Sequence, residues 1–481
     1  MDTVGKKALK AGTWYTICTF VLKGLAFITM PIFARIMSTE DVGIYSNYIS
    51  WISILTSIFT LDLYTSVNLA HFEYDDKIYP FMSTITIAGT VVTGVIYAIA
   101  CIFTEQVTDI MGISPYMMHI MFIYLLVHPA VNVLHVKFRV YLQYRYTIIT
   151  SLVPAILSVL LALALVGIVP DEMQLNARVT GYYGVWIAAS LAIYIYIIFR
   201  GRTFKMEYVK FALPIALPMV LHLLSQTLLS SSDRVMIRQI CGDTDTGLYA
   251  TAYSCAMMVS ILWNAMNQAW APWCYEKMHR NEEKDIWKVA KPIILIFSGM
   301  ILLMTLMAPE ILLVMGGRKY KAAVYVIPPV MLGYIAQMLY TMYVNIEFYH
   351  KKQKQIMKGT MAAALLNIIL NMIFIPIFGY VAAAYTTLAG YIALMFFHYL
   401  FVRKMGLHYI LNMKFCLIVM AGSIVAGIAM TLLYELTILR WCVIGVIGIF
   451  VMAFLWKRRG ALKKQLKKKD IEGILKTCKL M

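Results

Sequence analysis

The sequence predicts an all-α polytopic membrane protein, and three observations carry that prediction. Of its 481 residues, 61% are hydrophobic and only 14% charged, where a soluble domain is about half apolar and a quarter charged. Mean hydropathy is +0.75. Apolar runs of membrane-crossing length follow one another with short polar breaks, leaving no room for a soluble domain. Disorder is excluded, because it needs high charge and low hydrophobicity. The eight cysteines are scattered, most of them in apolar runs (Cys18, Cys101, Cys255, Cys416, Cys442). With no CxxC pair, neither a zinc site nor a redox motif is supported, and no metal is expected.

A crossing helix needs about 20 mostly apolar residues, at ~1.5 Å each against a core of ~30 Å. Fourteen stretches qualify. The first, 11–34, follows Lys6, Lys7 and Lys10; it is too long for a signal peptide and lacks a small-residue cleavage site, so it reads as a retained helix. Spans 2 to 6 are 44–69, 81–103, 117–136, 147–168 and 181–199. Spans 7 to 10 are 211–231, 248–270, 290–308 and 325–346, and the segment 275–289 (YEKMHRNEEKDIWKV) reads as a surface helix between two of them. Spans 11 and 12, 359–376 and 380–401, are separated by Pro376 and Gly379, which favour a tight turn. Spans 13 and 14 are 414–433 and 440–456. The chain accordingly divides into a six-helix bundle (1–205), a second six-helix bundle (206–405), two additional helices (406–456) and a basic tail (457–481).

Lys and Arg set the orientation. With both termini in the cytoplasm, the outer loops hold only Arg35, Arg178, Arg234, Arg238, Arg318, Lys319, Lys321 and Arg440, while nearly all other basic residues lie inside. The loop at Arg318–Lys321 breaks the rule. The main block of the +18 net charge is the tail KRRGALKKQLKKK (Lys457–Lys469), an orientation anchor that meets anionic membrane lipids. No nucleic-acid-binding module accompanies it. There is no P-loop, HExxH or GxSxG, and no large outer loop to hold a substrate, which argues for transport rather than an enzyme.

The two halves repeat weakly. Arg35 and Gly43-Ile44-Tyr45 correspond to Arg238 and Gly247-Leu248-Tyr249, and Gly181-Tyr182 to Gly379-Tyr380. An even number of spans separates the equivalents, which implies a parallel repeat about an axis along the membrane normal. Pro31 in span 1 and Pro214 and Pro218 in span 7 would bend equivalent helices at the seam.

Polar residues recur at helical spacing inside the spans: Ser46, Ser50, Ser53, Ser57, Thr60 and Tyr64 in span 2; His222, Gln226, Ser230 and Asp233 in span 7; Tyr249, Tyr253, Ser260, Asn264 and Asn267 in span 8; Tyr334, Gln337, Thr341 and Asn345 in span 10; Asn367 and Asn371 in span 11. Small hydroxyls also let membrane helices pack closely. The amides and the stripes on two equivalent helices favour a wet cavity between the halves. Lys23 sits halfway along span 1, where a lysine costs roughly 2.5–3.5 kcal/mol on insertion scales; it reads as a cavity cation or as the partner of Asp62. Arg35, Asp233, Arg234 and Arg238 lie at the outer ends of spans 1 and 7, where anchoring at the interface competes with a role in the cavity. His128 and His398 read as packing histidines. Intramembrane acids are few, and Asp62, Asp233 and Glu347 are the candidates for coupling to Na⁺, H⁺ or the membrane potential; no other cofactor is expected. A cationic cavity rich in amides and tyrosines suits an anion carrying sugars, because Lys and Arg meet phosphate and Asn, Gln, Ser and Tyr match sugar hydroxyls.

Three stretches carry a resemblance: KxGLxFxxxPIxARxMSTEDxGIYxxY (Lys23–Tyr48), SSSDRVMIRQICGDTDTGLYATAY (Ser230–Tyr253) and LLNIILNMIFIPIFGYVAAAYTTLAGY (Leu365–Tyr391). In them the chain resembles the Wzx-type polysaccharide-transporter flippases of the multidrug/oligosaccharidyl-lipid/polysaccharide superfamily. The resemblance implies two six-helix bundles around a V-shaped cavity, two peripheral helices and a place in the bacterial cytoplasmic membrane. It also implies alternating-access transfer of a polyprenyl-pyrophosphate-linked oligosaccharide to the outer leaflet. Lys23, Arg35, Asp233 and Arg234 fall in the matching motifs.

The expectation is therefore a flippase for lipid-linked repeat units of a capsule, exopolysaccharide or other surface glycan, working beside glycosyltransferases and a polymerase. Lys23, with Arg35, Arg234 or Arg238, would neutralise the pyrophosphate; Ser53, Ser57, Gln226, Asn264, Asn267, Asn367 and Asn371 would face the sugars. A lipid II or sporulation-type flippase, a cation-coupled multidrug exporter and a non-transporting subunit of a glycan-assembly complex are the alternatives.

Overall fold

A computed structural model describes residues 3–449 together with 452, 453 and 456. The side chains of Lys6, Lys7, Pro218 and His222, and the tail Lys457–Lys469, lie outside the described residues. Among the described residues every regular element is helical: α1 (Thr3–Ile36), α2 (Thr39–Phe59), α3 (Val67–Glu73), α4 (Ile78–Ile102), α5 (Thr104–Met111), α6 (Pro115–Val127), α7 (Pro129–Val140), α8 (Tyr144–Ile168), α9 (Gln174–Gly201), α10 (Met206–Cys241), α11 (Asp243–His279), α12 (Glu283–Leu306), α13 (Ala308–Gly316), α14 (Ile327–Tyr349), α15 (Gln353–Phe378), α16 (Val381–Lys404), α17 (Met413–Thr431) and α18 (Thr437–Ile449), with short 3₁₀ turns between some of them.

Among the described residues, eleven segments are long and apolar enough to cross a membrane. The chain is a multi-pass membrane protein. Two further predicted spans are α10 and α11, which at 36 and 37 residues are the longest helices described but too polar to count among the eleven. Both pack on each other and on α2, and both carry polar residues that line a cavity between the halves. The last predicted span corresponds in part to the short α18.

Local chemistry explains the ends. Ser38 caps α2 through its Oγ, and Glu40 and Asp41 complement the helix dipole. Span 2 breaks after Phe59, where Leu61 (φ 47°) and Asp62 (φ 43°) adopt left-handed backbone. Span 4 splits at Pro129, which opens α7 without needing its missing N–H. Gly379 (φ +70°) supplies the turn between α15 and α16. The expected surface helix at 275–289 does not form. Instead α11 runs on to His279 and α12 starts at Glu283, with Lys277 bridging Glu282 and Asp285 across the turn.

The halves meet along α2, which packs on both α10 and α11. Gly43 and Gly247, paired in the sequence repeat, face each other there. A Cβ on Gly43 would stand 1.8 Å from the carbonyl oxygen of Asp243, and one on Gly247 1.9 Å from that of Thr39. The apolar cores are separate. One gathers Phe81, Met82, Leu134 and Ile197 and takes in Tyr208, Ala212 and Ala216 from the start of α10. A larger one holds Leu229 and Ile237 of the same helix with the buried faces of α11, α12, α14 and α16. So α10 starts in the packing of the first half and ends in that of the second. The additional helices are pinned by Arg440, 2% exposed, which donates to Glu310 and to the Tyr434 carbonyl at 2.6 Å.

Candidate functional site

A cavity of about 580 Å³ lies between the halves, within the range of roughly 300–1,000 Å³ usual for small-molecule sites. The close packing of α2 against α10 and α11 lies at its Gly43 end. Helix α1 contributes an apolar wall (Leu22, Leu25, Ala26, Met30). Helix α2 adds Tyr45, Ser46 and Ser50, α9 adds Arg178, Tyr182, Tyr183 and Trp186, α10 adds Ser230, Ser231 and Arg234, and α11 adds Thr251, Tyr253 and Ser254. Among the described residues, two guanidiniums line this cavity and no carboxylate does.

Both arginines are held by aromatic rings. The guanidinium carbon of Arg178 lies 3.6 Å from the ring centroid of Tyr45 and 4.0 Å from that of Phe33. Its Nη1 contacts the Met37 sulfur at 3.6 Å, and its Nε is buried with no hydrogen-bond partner among the described residues. Arg234 lies 4.6 Å from the Tyr253 ring and donates to the Ser230 carbonyl at 2.9 Å. Neither forms a salt bridge among the described residues. A planar cation sandwiched between rings keeps its charge and its in-plane donors available to a bidentate anion. The hydroxyls of Ser50, Ser230 and Ser254 back-bond to carbonyls of their own helices, so the helices satisfy them; the buried Thr251 hydroxyl has no such bond.

The predicted site residues scatter. Arg234 lines the cavity. Arg35 donates to the Val314 carbonyl at 2.7 Å, and Arg238 pairs with Asp243 at 3.2 Å beside Gly112; neither lines the cavity. Lys23 is exposed on α1, one turn from Ala26 and away from the Gly43 end, and forms no pair with Asp62. Asp62 instead sits buried in the break after α2, near the Thr60 hydroxyl. Of the α2 serines, Ser46 and Ser50 reach the cavity, whereas Ser53 and Ser57 bond back to Ile49 and Ser53. Asn267 accepts from Asn345 at 2.9 Å, and Gln226 and Asn264 are exposed. Glu347 is wholly buried and bonded to His398 at 2.9 Å.

Asn367 and Asn371 face away from the cavity, into a buried network around Asp233. Tyr249 donates to Asp233 at 2.7 Å, Thr387 at 2.9 Å and Asn371 at 3.0 Å. Asn367 and Thr386 complete the chain of bonds, tying α10, α11, α15 and α16 together. Asp233→Ala removes the acceptor and leaves three buried donors unmade. Each costs about 1–3 kcal/mol, so the variant is expected to lose on the order of 3 kcal/mol or more, read as a lowered thermal midpoint in detergent. An unchanged midpoint would show that the network is not structural.

Sequence reading missed Arg178, together with Tyr182 and Trp186. The apolar run of span 6 begins at Gly181, which puts Arg178 in an outer loop. The start signal lies further back, at Asp171 and Glu172, and α9 opens at Gln174. That places Arg178 within the helix and at the cavity.

Comparison with known proteins fixes the family. Residues 8–278 match the family described as polysaccharide biosynthesis protein. The chain belongs to that family. A relative from Haemophilus influenzae, Lsg locus putative protein 1, is 21% identical over 373 residues, 75% of this chain and 90% of the relative. Among solved structures, the lipid II flippase MurJ in an inward closed conformation aligns with a TM-score of 0.66 at 15% identity, covering 92% of this chain and 99% of the other. A multidrug resistance MATE family transporter of the MOP superfamily, in an inward-facing conformation, aligns with a TM-score of 0.59 at 13% identity, covering 80% of this chain and 94% of the other. At these identities the likeness is one of fold. This member of the polysaccharide biosynthesis family shares the helical fold of these two proteins.

Proposed function

We propose that the protein translocates a polyprenyl-diphosphate-linked oligosaccharide across the bacterial cytoplasmic membrane by alternating access, for surface polysaccharide assembly. The observation that carries the reading is the pair Arg178 and Arg234. The two come from different halves, have no salt-bridge partner among the described residues and line one cavity with tyrosines, a tryptophan and hydroxyls. Two guanidiniums match the charge and geometry of a diphosphate. Aromatic faces and hydroxyls offer stacking and hydrogen bonds to sugars. The apolar wall from α1 lets the lipid chain remain in the bilayer while the headgroup crosses. On this reading the Gly43 end faces outward, the orientation that the distribution of Lys and Arg favours, and the cavity is closed to the outside.

A carrier of cationic drugs needs carboxylates in its cavity, and the lining has none. Lipid II is itself a polyprenyl-diphosphate saccharide, and the fold match to its flippase keeps it as the second reading. Of the three carboxylates considered for ion coupling, Asp233 is saturated by donors, which leaves Asp62 and Glu347. The test is reconstitution into vesicles with lipid-linked oligosaccharides of defined sugar. Arrival of sugar at the far leaflet, read with an impermeant lectin, is the expected result. No transfer above protein-free vesicles, with any glycan supplied, would overturn the reading.

A further inference from the structure

The loop that breaks the charge rule, Arg318–Lys321, lies directly after α13, against the end of α1. Helix α1 ends at Ile36 and α13 at Gly316, and the two pack together there. Both present C-terminal carbonyls that have no partner within their own helix. Both therefore carry the negative ends of helix dipoles, and two such ends side by side repel. Each is met by a cation from the other half. Arg35, in the last turn of α1, donates to the Val314 carbonyl in the last turn of α13 at 2.7 Å. Lys319, just past α13, donates to the Met37 carbonyl just past α1. The contact is reciprocal, it joins the halves, and it lies at the same end as the Gly43–Gly247 approach.

We infer that Arg35 and Lys319 form a latch that holds this end of the cavity shut. They are positioning residues for transport rather than substrate ligands, and the inference rests on the reading that the cavity opens alternately at its two ends. While the cations are in place, the two helix ends attract across the seam. Without them the ends repel, and the equilibrium moves toward the state open at the Gly43 end. This also explains why basic residues persist on the side of the membrane where the charge rule disfavours them. The latch is exposed to solvent, as Arg35 and Lys319 both are; salt therefore screens it, and the restraint is weak enough to release in each cycle.

The test is a distance distribution measured by double electron–electron resonance on full-length protein in lipid nanodiscs. The native cysteines are replaced, and spin labels are placed at Glu40→Cys and Arg318→Cys, both exposed positions on opposite sides of the seam. The pair Arg35→Gln with Lys319→Met, which keeps most of each stem and removes each charge, is expected to raise the long-distance population by about threefold or more. Lys319→Arg with Arg35 intact is expected to restore the starting distribution. An unchanged distribution in monodisperse Arg35→Gln/Lys319→Met protein would overturn the latch. So would opening seen only with the alanine pair, because that assigns the effect to packing of the stems. The readout needs no substrate, so failure of the flippase reading would appear in the vesicle assay and leave this result untouched.

Discussion

Arg178→Gln is expected to lower transport of a lipid-linked saccharide by roughly 30-fold or more, because leaving one member of a desolvated charge pair without its partner costs about 2–5 kcal/mol. The structure gives two reasons for placing the largest effect here. Its guanidinium is fixed between Phe33 and Tyr45, so little conformational freedom remains to be lost when an anion arrives. Its Nε is buried with no hydrogen-bond partner among the described residues, so that donor is available to an anion. Arg178→Lys is expected to rescue poorly, since an ammonium neither stacks between two rings nor presents a planar fork. Arg234→Gln should cost less, because Arg234 already spends one donor on the Ser230 carbonyl. Transport rates in vesicles, alongside a thermal midpoint that shows the variant folded, check this. A folded Arg178→Gln protein with unchanged transport would remove the guanidinium from the mechanism.

Gly43→Ala is expected to produce the largest conformational effect. The added Cβ would meet backbone, the Asp243 carbonyl oxygen at 1.8 Å and the Gly247 nitrogen at 2.9 Å, and backbone cannot turn aside as a flexible side chain can. Helix α2 must then move off α11. Overpacking of this kind costs about 1–3 kcal/mol, which shifts a two-state equilibrium about 5- to 150-fold away from the state in which the glycines touch. On the proposed orientation, a cysteine at Ser46 in a cysteine-free background becomes reactive from outside the cell to an impermeant thiol reagent. Gly12→Ala, with open space around its Cβ, serves as the neutral control. Protection of Ser46→Cys that survives Gly43→Ala would contradict the close approach.

Much of the fold was legible because the bilayer imposes a simple rule: about 20 apolar residues per crossing. The rule located eleven of the helices directly, and α10 and α11 too, although their polar faces blur the pattern. The repeat was legible at Gly43 and Gly247, where two backbones approach too closely for any side chain. The site was legible in chemistry but not in address. Tyrosines, hydroxyls and cations on the seam helices do surround a cavity, yet helical periodicity cannot say which polar face meets solvent. Asn367 and Asn371 share a face with each other as expected, but that face meets the Asp233 carboxylate. Arg35 sits at the predicted end of its helix, but its reach carries it to a backbone carbonyl of the other half. Arg178 was lost because the apolar run of its helix begins after it, while the helix itself begins earlier. Contacts between distant segments decided each of these, and no local pattern encodes them.

The most direct measurement is a cryo-electron microscopy structure of the protein in nanodiscs with a polyprenyl-diphosphate oligosaccharide added. The account predicts density for the diphosphate between Arg178 and Arg234, with sugar against Tyr182 and Trp186. A bound lipid whose phosphates lie elsewhere, with both guanidiniums still facing an empty or solvent-filled cavity, would contradict it.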